Sequence, residues 1–484
     1  MTARAPRAPS GGRARRSAPT RAKPPRDGAG DTLRFTTLAL LAAGPFLVGG
    51  VHELVFIPLL VGCGVVGLGS WVRARRARLP GVRTPTVPGG RLLAALHLLI
   101  LVQLVPLPPA ALRLVSPGSF AFYNDRLLLP LTAWRPITVS PPDTLRGLAF
   151  LAAFSLLYAS VFREFASRTW RRRLAHTVVG VGVAITVIAL VQAVSPEPRK
   201  LYGLWQPTWD WAVFGPYVNN SHFAGYVAMA AAVATGAALG ALDRLRHAWG
   251  RRRRGWLALG ASEGNAFVRW AAVVMVLVAG LVASGSRGGV SAFGLTALVL
   301  PFASARRRTT AVAVVLLAAL GIAWIGLGDI VGAFETRGVK GSRLDLWADM
   351  LPMVPDFPVF GVGGNAFSSA YPLYQTIWRR DWIGEAHNEY LQVLFDLGLV
   401  GVLLVGGLLV LVFRAAWRGA ARGGLELGLF GALFALAVHN LVDFNWQIPA
   451  NAATWVALAA LALNTEPSRM TVPRLEPRGP RPLQ

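Results

Sequence analysis

A chain of 484 residues that is 54% hydrophobic, only 15% charged and has a mean hydropathy of +0.48 is not built as a soluble globular protein. Its 49 Lys and Arg against 23 Asp and Glu give a net charge of +26, and because the excess is dispersed over many loops it argues against a nucleic-acid partner. A single cysteine, Cys63, excludes an intrachain disulfide and any cysteine-based metal site.

Residues 1–32 are rich in Arg, Ala and Pro and read as a disordered basic tail. The nearly full-length apolar run behind them reads as a retained signal anchor rather than a cleaved leader. From there apolar runs of roughly 17–22 residues recur, each long enough for a hydrocarbon core of about 30 Å. Twelve spans are expected, at 33–51, 54–72, 91–107, 145–162, 174–194, 222–242, 267–284, 288–305, 309–327, 390–413, 424–440 and 446–464. The chain thus divides into the tail, an N-terminal membrane region over 33–199, a second membrane region over 200–465 and a short tail over 466–484.

Arginine placement sets the orientation. With the N-terminus cytoplasmic, every second connection is basic: Arg73, Arg75, Arg76 and Arg78, then Arg163 with the 168–173 run, Arg244 with Arg251 to Arg254, Arg306 to Arg308, and Arg414, Arg418 and Arg422. The positive-inside bias requires this pattern, which puts both termini in the cytoplasm, and the bilayer becomes the partner of the positive charge.

Three sizeable connections then face outward. The first, 108–144, is Pro-rich and is expected to be irregular or extended. The second, 195–221, carries Tyr202, Trp205, Trp209, Trp211, Phe214 and Tyr217, which suit either interfacial anchoring or stacking on sugar rings. The third, 328–389, is the largest, and a loop of that length in a compact protein is usually functional or disordered. Its cluster of turn residues over 355–365 and its aromatics argue for order.

Polar groups gather on this outer side. Asn219, Asn220, Ser221 and His222 lead into the sixth span. Ser284 to Gly289 form a tight turn around Arg287, where an arginine runs against the positive-inside bias and glycines expose backbone N–H groups as an anion site would. Arg343 opens a short helical stretch, with Asp345 and Asp349 as possible partners. Glu385, His387, Asn388 and Glu389 stand at the start of the tenth span; His439, Asn440 and Asp443 close the eleventh. Ionisable groups at membrane depth are costly and mark function by default. Each also has a plainer role: Arg287 as an interfacial anchor, Arg343 as a surface ion pair, His222 and His439 as hydrogen-bond partners at span ends, Asp443 as a helix cap. No metal cluster stands out in the outer loops.

The strings Phe-Gly-Pro-Tyr-Val-Asn-Asn-Ser-His-Phe-Ala-Gly-Tyr (214–226), Gly-Ser-Arg-Gly-Gly (285–289), Arg343, His-Asn-Glu-Tyr-Leu (387–391) with Gly398, and His-Asn-Leu-Val-Asp-Phe-Asn-Trp-Gln-Ile-Pro-Ala-Asn (439–451) together resemble the bacterial O-antigen ligase and polymerase superfamily. The resemblance covers about residues 200–465. It implies an all-α, polytopic protein of the bacterial inner membrane with a large periplasmic loop. It also implies a glycosyltransferase acting on undecaprenyl-diphosphate-linked oligosaccharide; no cofactor is expected, the lack of a clear metal cluster leads us to expect metal independence, and direct displacement with one base predicts inversion at the anomeric carbon. By motif, Arg287 and Arg343 take the diphosphate and His387 serves transfer; Asn219, Asn220, His222, Glu385, Asn388, Glu389, His439 and Asp443 are the further candidates for substrate binding. The acceptor is a lipid-linked glycan for a polymerase, favoured slightly by the aromatic loops, or lipid A core or a protein for a ligase. A flippase and a chain-length regulator are the partners that such a role implies. From a different class, a lipid-linked glycan flippase would use the same residues to line a pathway and would show internal repeats and broken helices near mid-membrane.

Overall fold

The computed structural model describes residues 27–76, 86–126, 132–207, 212–251, 262–312, 314–315, 343–376 and 382–464. Most of both basic tails, most of the expected ninth span, Trp209 and Trp211, and positions 328–342 and 377–381 of the large loop lie outside these residues. All regular structure among the described residues is helical, with only isolated bridges such as Leu107 to Arg135.

The chain begins with α1 (Gly28–Phe46), α2 (Glu53–Arg76) and α3 (Gly90–Gln103), followed after the short α4 (Pro109–Val115) and α5 (Pro117–Ala121) by α6 (Pro141–Glu164), α7 (Arg168–Ala193), α8 (Asn220–Arg251), α9 (Ser262–Ala283) and α10 (Arg287–Ala303). After α11 (Arg343–Met350) and α12 (Phe367–Ala370) come α13 (Glu389–Ala420), α14 (Leu425–His439) and α15 (Pro449–Leu463). Six of them, α2, α6, α7, α8, α9 and α13, are long and apolar enough to cross a membrane, and α3, α10, α14 and α15 are shorter apolar helices.

Helix α8 is the axis of the bundle. Of its apolar stretch 89% is buried, against 22–28% for α2, α9 and α13, which therefore present most of their surface outward. Alanines at 224, 228, 230, 231, 232 and 234, all fully buried, keep α8 thin enough for α7, α9, α10 and α14 to close around it. Between apolar helices in lipid, such close backbone approach replaces the hydrophobic effect as the source of packing energy.

The two ends of the bundle differ. At one end Glu164, buried at the C-terminus of α6, accepts from Arg73 at 2.6 Å and from Arg34 at 3.4 Å, and Ser70 donates to it at 3.1 Å. Nearby, Arg171 forks onto both oxygens of Glu426 at 2.8 Å. These pairs join α1, α2, α6, α7 and α14 where the arginine-rich connections were expected.

At the other end the first and third outer connections fold into one cap. The Pro-rich segment is more helical than expected. Pro109 and Pro117 each sit in the first turn of a short helix, where a missing N–H costs nothing. Pro141 likewise opens α6. Val139 N–H donates to the Val362 carbonyl at 2.8 Å, and Leu112, Ile137, Met350, Phe367 and Tyr371 share a small separate core.

Helix α13 is broken at Gly398 (φ +61°, ψ −165°). The Tyr390 hydroxyl donates to the Ala437 carbonyl, while Phe413 meets Phe434, only three residues away on α14. A straight helix would separate residues 390 and 413 by about 34 Å, so the first segment must fold back against the second. The break is fully stapled: Val362 and Gly363 N–H donate to the Phe395 and Asp396 carbonyls, Leu399 and Val400 N–H donate to Pro358 and Val359, and the Gln103 amide bridges Phe360 and Asp396. Irregular backbone at this depth is tolerable only because protein satisfies it.

Candidate functional site

The capped end gathers the polar groups from five separate stretches of chain. At the start of α8, Asn219 Oδ1 accepts from Ser221 N–H and the Asn220 amide donates to the Ser284 carbonyl, both at 2.8 Å. Ser286 caps α10, accepting from Gly289 N–H, and its hydroxyl donates to Ser221 Oγ at 3.2 Å. Two hairpin ends are thereby locked together, and Arg287, the first residue of α10, is left exposed. Its neighbour Gly288 passes so close to His439 that a Cβ there would stand 3.1 Å from the imidazole ring.

Asp443 is the hub. Its Oδ1 lies 3.6 Å from His222 Nε2 and its Oδ2 3.5 Å from His439 Nε2, all three side chains being buried. The Asn445 amide donates to the same carboxylate at 3.1 Å. Behind it, Asn451 donates to Asn445 Oδ1 and to the His222 carbonyl, both at 2.8 Å, and Tyr217 donates to Asn451. Gly225 allows this approach, since a Cβ there would meet Asn445 Oδ1 at 2.1 Å. Burial alone would raise the Asp443 carboxyl. The charges of His222, His439 and Arg343 outweigh it and hold the group well below the usual carboxylate range.

Arg343 faces this hub from the cap, half-buried at the start of α11. Burial lowers its guanidinium from the ordinary value, Asp443 opposes the shift and Arg287 adds to it, so the two arginines and the aspartate share one field. One helical turn on, Trp347 Nε1 donates to the Ala386 carbonyl at 2.9 Å, which docks α11 against the loop carrying His387. That loop is strained at the point of interest. His387 has φ +50°, a left-handed conformation costing a β-carbon residue about 1–2 kcal/mol. Its ring meets Phe444 edge-on at 4.9 Å, and His222 meets the same ring at 4.7 Å, so Phe444 packs against both imidazoles.

The carboxylates beside His387 divide. Glu389 is buried and accepts from Gln447 N–H at 3.1 Å, with its own N–H donating to the Asn440 carbonyl, so it ties α13 to the 440–448 turn. Glu385 is only partly covered. Burial raises its carboxyl above the usual range, His222 opposes this and Asp443 reinforces it. Asn388 caps α13, accepting from Tyr390 and Leu391 N–H. Asn219, Asn220, Asn388 and Glu389 are therefore engaged in positioning the frame. Arg287, Arg343, Glu385 and His387 keep surface at its centre. Among the described residues no group of three or more His, Cys, Asp or Glu is arranged to hold a metal ion.

Residues 271–406 match the family described as O-antigen ligase. Over 210 residues the chain is 27% identical to an "O-antigen ligase" of Pseudomonas aeruginosa, covering 43% of this chain and 50% of that protein. Over 158 residues it is 23% identical to the "Exopolysaccharide production protein ExoQ" of Rhizobium meliloti, covering 31% of this chain and 35% of that one. These matches, each over part of the chain, support a likeness to the O-antigen ligase and polymerase superfamily. The chain spans about half the length of the first relative and about a third of the second. Within the matched region of the ligase family lie Arg287, Arg343, Glu385, His387, Asn388 and Glu389. Asn219, Asn220, His222, His439 and Asp443 lie outside it and reach the same place through the fold.

Sequence reasoning did not single out Asn445, Asn451, Phe444, Trp347 or Gln103. Asn445 and Asn451 were visible as amides in the polar stretch between two apolar runs, beside Asp443. Trp347 and Gln103 carried no such signal, because their partners are backbone carbonyls far away in sequence.

Proposed function

We propose that this protein is a glycosyltransferase that moves a glycan from undecaprenyl diphosphate to an acceptor hydroxyl at the outer face of the bacterial inner membrane. The observation that carries the reading is the gathering of Arg287, Arg343 and His387 around the buried Asp443. Guanidinium groups match phosphate oxygens in planar, forked geometry, and Arg287 lies beside exposed backbone of a glycine-rich turn. As the anomeric C–O bond breaks, its electron pair goes to the diphosphate oxygen, where the two arginines balance the developing charge. The acceptor oxygen forms the new bond on the opposite face, and its proton goes to His387, with Glu385 the carboxylate placed to assist. One direct displacement inverts the anomeric centre. The proposed reaction is metal-independent and needs no cofactor.

One relative is named a ligase and the other for exopolysaccharide production, which supports a role in glycan assembly, and the acceptor is decided by experiment. Glycan profiling of a deletion strain separates polymerase from ligase. Single repeats left on the carrier mean a lost polymerase, and full chains left on the carrier mean a lost ligase. Unchanged glycans and unchanged carrier pools would remove the proposal.

The break in α13 is the feature a transporter reading predicts. Its staples to Gln103 and the 358–363 segment make it a fixed bend, and the ionisable cluster sits at one end of the bundle. Purified protein assayed in detergent and in liposomes decides between them: transfer in detergent without a second compartment supports the enzyme, whereas movement of lipid-linked glycan across a bilayer without transfer supports the transporter.

A further inference from the structure

We propose that the groove between α10, α13 and α14 binds an anionic phospholipid, with acyl chain on its aromatic wall and phosphate between Arg414 and Arg418. The groove holds about 680 Å³ and is lined by Val299, Phe413, Phe430, Phe434, Val438 and Leu441. Its wall is a run of rings in contact. Trp417 meets Phe430 at 5.3 Å, Phe430 stacks on Phe434 at 5.8 Å, and Phe434 meets Phe413 at 6.4 Å. Such a surface takes a hydrocarbon chain and offers nothing to a sugar hydroxyl.

The polar end of the groove fixes which lipid. Arg414 and Arg418 are one helical turn apart on α13, both exposed, and both border the groove. Neither has an ion-pair or hydrogen-bond partner among the described residues, unlike Arg73 and Arg171 at the same end of the bundle. Trp417 stands between them in sequence, 45% exposed, as an aromatic does at a headgroup boundary. Two unpaired guanidiniums at the mouth of an apolar slot match one lipid phosphate.

Orientation separates this ligand from the proposed donor. α14 runs from Glu426, paired with Arg171, to His439 beside Asp443. Arg414 and Arg418 lie toward the first of these ends. A diphosphate held near Arg287 and Arg343 would leave both groove arginines unneutralised. A phospholipid of the opposite leaflet satisfies them while its chain extends toward Tyr390 and Leu441. The assignment does not depend on the transfer reaction.

The test uses the purified full-length protein in detergent, with retained lipid counted by native mass spectrometry. The probes are dioleoylphosphatidylglycerol, dioleoylphosphatidylcholine, a polyprenyl diphosphate and inorganic phosphate. The wild type should prefer phosphatidylglycerol by about thirtyfold, from two charges acting at the headgroup. Arg414→Gln with Arg418→Gln should reduce its binding to that of phosphatidylcholine, while Lys at both positions should retain most of the preference. Val438→Trp, which fills the slot without touching charge, should weaken both lipids. Millimolar inorganic phosphate should not displace the bound lipid. Equal retention of the two lipids by the wild type would overturn the proposal. So would a polyprenyl diphosphate whose binding is lost in Val438→Trp but indifferent to Arg414→Gln and Arg418→Gln, since that marks a slot for the donor's tail. Should the double Gln variant fail to fold, the lipid preference of the wild type and the Val438→Trp result decide.

Discussion

The chemistry at residue scale turns on which groups around Asp443 keep a free face. Arg287→Ala and Arg343→Ala should each lower transfer by about 10²–10³-fold, the size expected for removing a group that meets developing charge. Arg→Lys should restore little, because an ammonium cannot reproduce the planar fork. Full activity in both alanine variants, measured with lipid-linked donor, would reduce them to interfacial anchors. His387→Gln keeps the shape of a hydrogen-bonding side chain but cannot take up a proton. A loss of about tenfold, 1.4 kcal/mol, is the low edge of a missing catalytic interaction, and turnover within about threefold of wild type would move the base role to Glu385. Burial raises the Glu385 carboxyl, so it loses its charge at a higher pH than an ordinary glutamate as acid is added. If it assists His387, the acidic limb of the rate profile should flatten in Glu385→Gln, and an unaltered limb would free Glu385 of that role. Asp443 carries the opposite sign. Its pKa is depressed in the folded state, so its contribution to stability is present above the unfolded value of about 3.9 and is lost as pH falls further through the folded value. Asp443→Asn leaves the half-buried Arg343 without this countercharge and removes the carboxylate that faces His222 and His439, and should cost about 1–3 kcal/mol at neutral pH. Scanning fluorimetry in detergent should show that deficit shrinking below about pH 4, and equal melting temperatures at pH 7 would contradict it.

At the scale of elements, the bend in α13 puts His387 where it is. The fold-back returns Glu389 to Asn440 and Gln447, and so carries the preceding loop onto Phe444. Gly398 has φ +61° and no room: a Cβ would stand 2.3 Å from the Val359 carbonyl oxygen. Gly398→Ala should therefore destabilise by about 2–3 kcal/mol or more, from strain and overpacking together. Gly406→Ala, on the same helix with nothing within 4 Å of the added methyl, should be neutral or slightly stabilising. Equal melting temperatures for the two variants would show that the bend can relax. The glycine itself was legible in the sequence as part of a motif. The bend was not, because residues 390–413 read as one unbroken apolar run, and what opens the helix is backbone from the distant 358–363 segment.

Across the whole molecule, the all-helical membrane class could be read in advance, because hydropathy reports the length of apolar runs directly; of the twelve spans expected, six helices among the described residues are long and apolar enough to cross a membrane. That His222 meets Asp443, or that Gly288 touches His439, could not be read in advance. Lipid-facing and core-facing positions are equally apolar, so the pattern does not say which helices are neighbours. What remains to be tested is sidedness itself. The Asp443 cluster and the Glu164 network occupy opposite ends of one bundle, and only the first is compatible with an acceptor outside the cell if the basic end is cytoplasmic. Two exposed positions report on the two ends: Leu114, 84% exposed in the outer cap, and Trp249, 45% exposed near the far end of α8. With the buried Cys63 changed to Ala, Leu114→Cys should label in intact cells with an impermeant thiol reagent, and Trp249→Cys only after the membrane is opened. Labelling of Trp249→Cys alone would turn the site toward the cytoplasm and remove the proposed donor and acceptor geometry together. Labelling of both would mean that the bundle does not separate its two ends across a bilayer, and the reading of α2, α6, α7, α8, α9 and α13 as spans would fall with it.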